Sequence, residues 1–140
     1  MTVGEKQAVT GTDTPPEVLD GPFSTRQLLR IDEALRLADQ GTGLVFSVYV
    51  GGLGGPDEPI REHAERLHRQ LAEPDRSVLI VVSPNQRQLE IITGRYARKR
   101  IPDTYAKLAA LSMVASFGGG DLAGGIIQGL DQLASHAGKG

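Results

Sequence analysis

The fold of this chain is decided by two short runs, Leu44-Val45-Phe46-Ser47-Val48-Tyr49-Val50 and Ser77-Val78-Leu79-Ile80-Val81-Val82. Both runs are uncharged and rich in apolar and β-branched side chains. Such runs are typical of strands that are buried on both faces, as in a parallel sheet covered by helices. Between them, residues 60–71 carry apolar side chains at helical spacing, which suits a crossover connection. The sequence therefore predicts a parallel strand–helix–strand unit.

The remaining segments extend this unit into a small mixed sheet. The turn residues 83–86 separate the second run from a further strand, residues 88–93, and so short a connection permits only an antiparallel hairpin. A capping box of Ser24 and Gln27 begins a helix that we expect to end at Gly41. Two more helices are predicted, from residue 103 or 104 to 116 and from about 122 to 136. The fold class is α/β, with helices on both faces of the sheet in a three-layer sandwich.

Composition limits the classes of protein to which the chain can belong. With 140 residues, 39% of them hydrophobic, it has the length of one domain, which we place at residues 20–138. Residues 1–19 are polar and rich in Gly, Thr and Pro, so they predict a disordered lead-in. The absence of cysteine excludes disulfides and thiolate chemistry, and the net charge of -2 argues against nucleic acid as a partner. Neither a signal peptide nor a transmembrane segment is visible, which predicts a cytoplasmic location.

Four cations lie within six residues, namely Arg95, Arg98, Lys99 and Arg100. Like charges this close repel one another, and an anionic surface would relieve that repulsion. The basic segment could therefore bind phosphate, anionic lipid or an acidic protein partner. The alternative is a charged turn that simply faces water.

Several segments together resemble the TPM domain, and most of all a soluble actinobacterial branch of uncharacterised proteins. In chain order they are residues 20–24, Thr42-Gly43 with the strand 45–50, the strand 78–82 with its hairpin to Ile91-Ile92-Thr93-Gly94, Pro102-Asp103, and Phe117-Gly118-Gly119-Gly120-Asp121. The resemblance covers about residues 18–136. It implies a Rossmann-like sandwich, with acid phosphatase activity in some members and divalent-cation binding in others.

The same resemblance singles out carboxylates. Asp103 and Asp121 match recurrent acidic positions of the family, and with Asp20 they could converge as oxygen ligands for Ca²⁺ or Mg²⁺. The alternative is that each caps a helix and favours the positive end of its dipole.

Two glycine-containing segments each allow two interpretations. The loop Gly51–Gly55 follows a buried strand, where α/β proteins often hold phosphate, but its incomplete glycine pattern also fits a flexible turn. Gly125 and Gly129 would let the last helix approach a neighbour closely, either within the chain or in a homo-oligomer.

Two hypotheses of function remain. The first is a non-catalytic TPM-like module that binds a protein or a membrane-associated assembly through the basic segment Arg95–Arg100 and neighbouring loops. The second is a weak acid phosphatase that depends on a divalent metal, with Asp103 and Asp121 as ligands and basic residues holding phosphate. No pair of nucleophile and base stands out, so no catalytic residue is assigned.

Overall fold

A computed structural model describes residues 7–9, 23–51, 59–84 and 86–139. Its strands are β1 (Gln7–Val9), β2 (Val45–Val50), β3 (Ser77–Ser83) and β4 (Gln88–Thr93). Its helices are α1 (Thr25–Thr42), α2 (Ile60–Arg69), α3 (Arg95–Arg100), α4 (Asp103–Gly119) and α5 (Leu122–Ala137), and a short 3₁₀ turn, Pro74–Arg76, leads into β3.

The described strands form one mixed sheet in the order β1-β2-β3-β4. β2 and β3 are parallel, with Val45 opposite Ser77 and Val50 opposite Val82. β4 is antiparallel to β3, and β1 is antiparallel to β2. The predicted parallel unit and the predicted hairpin are therefore both confirmed.

Helices cover both faces of the sheet. The larger core packs inward-facing residues of the strands, such as Val48 and Ile80, against α1, α4 and α5. The alternate residues, including Tyr49 and Val81, face α2, where Ala64 is fully buried. This alternation follows from the pleat of a strand, which sends successive side chains to opposite faces.

The first helix begins as predicted and ends slightly later. The Ser24 Oγ accepts from the Gln27 backbone N–H at 3.1 Å, and the Gln27 Oε1 accepts from the Ser24 backbone N–H at 2.8 Å, which completes the capping box. The last helical residue is Thr42, and the glycine that stops the helix is Gly43 rather than Gly41. Gly43 has a φ of +80°, the left-handed conformation that glycine adopts without strain.

Two elements were not predicted. Gln7–Val9 falls in the segment expected to be disordered, yet it pairs with β2 as β1. A three-residue strand is too short to show a period, and its pairing comes from tertiary context. The basic segment Arg95–Arg100 is the helix α3 rather than a turn. Six residues cannot display helical periodicity, and Ala97 is the member of this helix that is fully buried.

The glycines of α5 serve packing inside the chain. A Cβ atom at Gly125 would lie 2.2 Å from the Ser116 Oγ of α4, and one at Gly129 would lie 1.8 Å from the Met113 Cε. Close approach of α4 and α5 therefore accounts for both glycines, while the homo-oligomer stays a prediction. Across the described ranges, no helix combines the length and apolarity that a membrane crossing requires.

Candidate functional site

Seven charged side chains line a cleft between α2 and α3. This cleft has a volume of about 370 Å³. It lies where β3 begins and the antiparallel β4 ends, so it is at the amino end of the parallel pair. Its lining residues are Arg61, Glu65, His68, Arg69, Pro74, Asp75, Ile92, Thr93, Gly94, Arg95, Arg98 and Asp103.

Gly94 fixes the position of α3 beside the cleft. Its N–H donates to the Ser77 carbonyl at 2.9 Å, which ties the start of α3 to the start of β3. A Cβ atom at this position would lie 1.7 Å from the backbone carbonyl oxygen of Pro74. The chain before β3 therefore packs directly on Gly94, and no larger residue fits there without moving backbone.

Two of the four predicted cations, Arg95 and Arg98, line this cleft. They are three residues apart on α3, a spacing that puts side chains on one face of a helix. The Arg98 Nη2 donates to the Thr93 carbonyl at 2.9 Å, and its Nε lies 3.9 Å from the Asp103 Oδ1. The guanidinium of Arg98 is thus held in place while 48% of its side chain stays exposed.

α2 adds two further arginines that differ in their partners. Arg61 donates to Glu65 and Glu90, each at 3.1 Å. Burial alone would lower the pKa of Arg61, but its hydrogen bonds to these carboxylates raise the pKa above its ordinary value. The charge of Arg61 is thus balanced locally. Arg69 is exposed at the same cleft, which it lines together with Arg95 and Arg98 and with the carboxylates of Asp75 and Asp103.

His68 forms part of the cleft wall and is only 7% exposed. Its Nε2 lies 3.1 Å from the Ser77 carbonyl, and because a carbonyl only accepts, Nε2 must carry the proton. Burial lowers the pKa of His68, the carbonyl bond partly opposes this, and the nearby Arg98 lowers the pKa further. The imidazole is therefore neutral at neutral pH.

This neutral imidazole should make stability sensitive to acid. Because the pKa of His68 is lower in the folded state than the unfolded value of 6.5, protonation favours unfolding. We expect its stabilising contribution to be complete above pH 6.5 and to be lost as the pH falls below that value. Urea unfolding at pH 7.5 and pH 5.5 measures this effect. Between these two pH values the free energy of unfolding should fall less in His68→Gln than in the wild type.

Asp39 provides the comparison for that experiment, because its contribution has the opposite sign. Burial raises the pKa of Asp39 to about 6, and the bond that its Oδ1 accepts from the Phe46 N–H opposes the rise. Its contribution to stability grows as the pH falls through 6. In Asp39→Asn the free energy of unfolding should therefore fall more steeply with decreasing pH than in the wild type. An unchanged pH dependence in both variants would contradict these two assignments.

The other two predicted cations lie apart from the cleft lining. Arg100 donates to the carbonyls of Thr42 (2.8 Å), Ala137 (3.1 and 3.2 Å), Gly138 (2.6 Å) and Lys139 (3.0 Å). Its guanidinium thus joins the end of α5 to the end of α1. Lys99 is exposed on α3. The basic segment therefore divides into cleft residues and a structural arginine.

The predicted metal ligands are not brought together. Asp103 begins α4 at the cleft, whereas Asp121 caps α5 by accepting from the Gly124 N–H at 3.0 Å and lines a separate cavity beside α1. Asp20 lies outside the described residues, as does most of the loop Gly51–Gly55. Among the residues that the structure describes, no three His, Cys, Asp or Glu side chains gather where they could hold a metal ion.

Sequence reasoning missed the contribution of α2 to this site. Arg61 lies seven residues before the adjacent pair His68 and Arg69, among other charged residues, and only the packing of α2 on the sheet brings all three to α3. The spacing of Arg61 and Arg69, eight residues apart, was the available signal, since it places both near one side of a helix.

Comparison with known protein families shows to which family the chain belongs. The family model described as "Domain of unknown function (DUF5130)" matches residues 2–134. The chain belongs to this family. The predicted TPM membership is wrong, because the matching model is DUF5130 and nothing in the comparisons names a TPM domain. The segments that carried the resemblance, as far as the structure describes them, lie in strands, turns and helix ends, which specify a fold more than a family.

Relatives of this DUF5130 chain occur in Mycobacterium tuberculosis. "Uncharacterized protein Rv2468c" from strain ATCC 25618 / H37Rv is 30% identical over 131 residues, which are 91% of this chain and 75% of that protein. "Uncharacterized protein MT2543" from strain CDC 1551 / Oshkosh matches with the same identity and coverage. These relatives agree with the predicted actinobacterial relationship.

Solved structures share the fold of this DUF5130 chain. The BA42 protein from Bizionia argentinensis aligns with a TM-score of 0.75 at 14% identity, covering 87% of this chain and 86% of that one. The N-terminal domain of a P. gingivalis protein aligns with a TM-score of 0.73 at 21% identity, covering 83% and 76%. At such identities the likeness establishes a small mixed α/β fold and nothing about activity.

Proposed function

We propose that this domain is a binding module that holds an anionic group of a protein partner in the cleft between α2 and α3. One observation carries the proposal: Arg95 and Arg98 of α3 line the same cleft as Arg69 of α2. Arginine presents paired donors that match the oxygens of carboxylate and phosphate groups. The proposal keeps Arg95 and Arg98 from the predicted basic segment and leaves out Arg100, whose donors are used by backbone carbonyls.

The shape and charge of the site favour a protein partner over a membrane surface. A cleft of about 370 Å³ suits one inserted side chain, whereas a lipid surface is best met by a broad basic face. The whole chain has a net charge of -2, so attraction to an anionic group comes from the arginines of the cleft and not from the charge of the chain as a whole. We therefore expect recognition of one acidic or phosphorylated side chain.

Fluorescence anisotropy with three labelled peptides tests this proposal. The peptides share one sequence and carry phosphoserine, glutamate or serine at the central position. We expect the two anionic peptides to bind and the serine peptide to bind much more weakly. Binding should weaken with added salt, because the Debye length is about 8 Å at physiological ionic strength.

Charge reversal across the cleft should remove this binding. In Arg69→Glu/Arg95→Glu we expect affinity to fall about tenfold or more, since repulsion replaces attraction at both helices. The matched control is Arg26→Glu/Arg30→Glu, which reverses two exposed arginines of α1 and changes net charge equally. Equal losses in the two variants, or wild-type affinity that ignores salt, would refute the cleft.

The alternative of a divalent-metal-dependent acid phosphatase has a separate test. The pure protein is incubated with p-nitrophenyl phosphate and Mg²⁺, Ca²⁺ or Mn²⁺. The separation of Asp103 from Asp121 in different cavities makes the binding module the better-supported proposal. Metal-dependent turnover that is lost in Asp103→Asn would reverse this preference.

We also propose that the sandwich is Rossmann-like, on the basis of its parallel β2–α2–β3 unit. In such folds ligands commonly bind at the carboxyl ends of the strands. The proposed cleft lies at the opposite edge, so binding there would be a departure from that rule. Peptide binding that maps by NMR to Gly51 and the end of β3, rather than to α3, would favour the usual edge. The cytoplasmic location stays a prediction.

A further inference from the structure

We propose that Asp103 is a built-in competitor for the anion-binding cleft, so that a ligand must displace this carboxylate to reach Arg98. This inference rests on the proposed function and adds a specificity-determining residue to it. It assigns Asp103 a role different from metal binding and from simple capping.

The geometry places the carboxylate where an incoming anion would bind. The Asp103 Oδ1 lies 3.9 Å from the Arg98 Nε and accepts from the Thr93 Oγ1 at 3.4 Å. A cation and a hydroxyl donor that converge on one oxygen are groups that also bind an oxygen of a phosphate or carboxylate ligand. Asp103 therefore occupies the position of a ligand oxygen at Arg98.

The contacts are also weak enough to be exchanged. Both are long, and 61% of the Asp103 side chain is exposed. Exposed ion pairs contribute little free energy, so the side chain can turn into water when a better anion arrives. Arg98 remains in place after this exchange, because its Nη2 is held by the Thr93 carbonyl at 2.9 Å.

Displacement sets a threshold for the ligand. A group with a single negative charge only replaces what Asp103 already supplies at Arg98. A phosphorylated side chain carries about -1.5 to -2 charges and three acceptor oxygens, so it can also engage Arg69 and Arg95. The residues of the cleft thus favour a phosphorylated segment over an unmodified acidic one.

The test measures affinity for the phosphoserine and glutamate peptides in wild type and Asp103→Asn. We expect Asp103→Asn to bind both peptides about two- to fivefold more tightly, the range set by the loss of one exposed competing ion pair. We also expect the wild type to prefer the phosphoserine peptide. In NMR spectra, the Arg98 Nε–H resonance should shift in Asp103→Asn without ligand and shift again when peptide is added.

Control variants separate displacement from a general change of charge. Asp121→Asn changes net charge equally at the start of α5, outside the cleft, and should leave both affinities unchanged. Asp75→Asn removes a carboxylate that lines the cleft without an ion pair to Arg98 in the structure, and should have a smaller effect. Asp103→Ser repeats the test with a residue suited to the first turn of a helix.

The possible outcomes distinguish failure of the competitor from failure of the proposed function. If the wild type binds the peptides and both Asp103 variants bind them with equal or lower affinity, the competitor role of Asp103 is overturned. This holds when the variants melt near the temperature of the wild type, and the proposed function of the cleft then stands. Equal tightening in Asp121→Asn also overturns it. Binding by neither wild type nor Asp103→Asn overturns the proposed function and this inference with it. Binding by Asp103→Asn alone supports the competitor.

Discussion

Replacing Gly94 by alanine is expected to destabilise the protein by about 2–4 kcal/mol, near the upper end for a single added methyl group. The new Cβ would lie 1.7 Å from the Pro74 carbonyl oxygen and 2.6 Å from that of Asp75. Both are backbone atoms, so no side chain can turn away to make room. Relief requires a shift between the 3₁₀ turn before β3 and the start of α3.

Gly41→Ala is the matched control for this substitution. A Cβ atom at Gly41 meets nothing within 4 Å, and the residue lies in the last turn of α1. Alanine there should stabilise the protein by about 0.5–1 kcal/mol, since it lowers the entropy of the unfolded chain. Guanidinium unfolding of both variants checks the contrast. Equal stability of the two would show that Gly94 does not pack as described.

The same substitution connects the fold to the proposed site. Gly94 ties α3 to β3 through its bond to the Ser77 carbonyl, and it is the N-cap of the helix that carries Arg95 and Arg98. A shift of α3 would move both guanidinium groups relative to Arg69 on α2. Folded Gly94→Ala should therefore also bind the anionic peptides more weakly than Gly41→Ala does.

The parts of the fold that could be predicted have strong local patterns. The uncharged runs of β2 and β3, the short hairpin to β4 and the capping box at Ser24 each follow from a few adjacent residues. β1 and α3 could not be predicted this way. They have three and six residues, too few for a period of two or 3.6 to emerge.

The candidate site was only half visible in the sequence for a related reason. Arg95 and Arg98 stand out as a local cluster, but Arg69 and His68 reach the cleft through the packing of α2 on the sheet. The sequence also gives no sign that Arg100 turns away from its neighbours. Helical rotation separates it from the face of Arg95 and Arg98, and the ends of α1 and α5 supply acceptors from distant parts of the chain.

Replacing Arg100 by methionine should separate the structural arginine from the binding ones. The substitution keeps much of the side chain's apolar length but removes every donor to the carbonyls of Thr42, Ala137, Gly138 and Lys139. Hydrogen bonds to a charged group contribute about 1.5–3 kcal/mol, and we expect a loss of stability in that range. The cation also stabilises the C-terminal ends of α1 and α5, where the helix dipole places partial negative charge. Its removal therefore adds to the loss of stability.

The expected result in Arg100→Met is a lower melting temperature with unchanged affinity for the phosphoserine peptide. Arg95→Met is the matched comparison, because it removes the same charge from an exposed position of the same helix. It should leave the melting temperature nearly unchanged and weaken binding. If Arg100→Met lost affinity while keeping its stability, the whole basic segment, rather than its cleft-facing half, would be the binding surface.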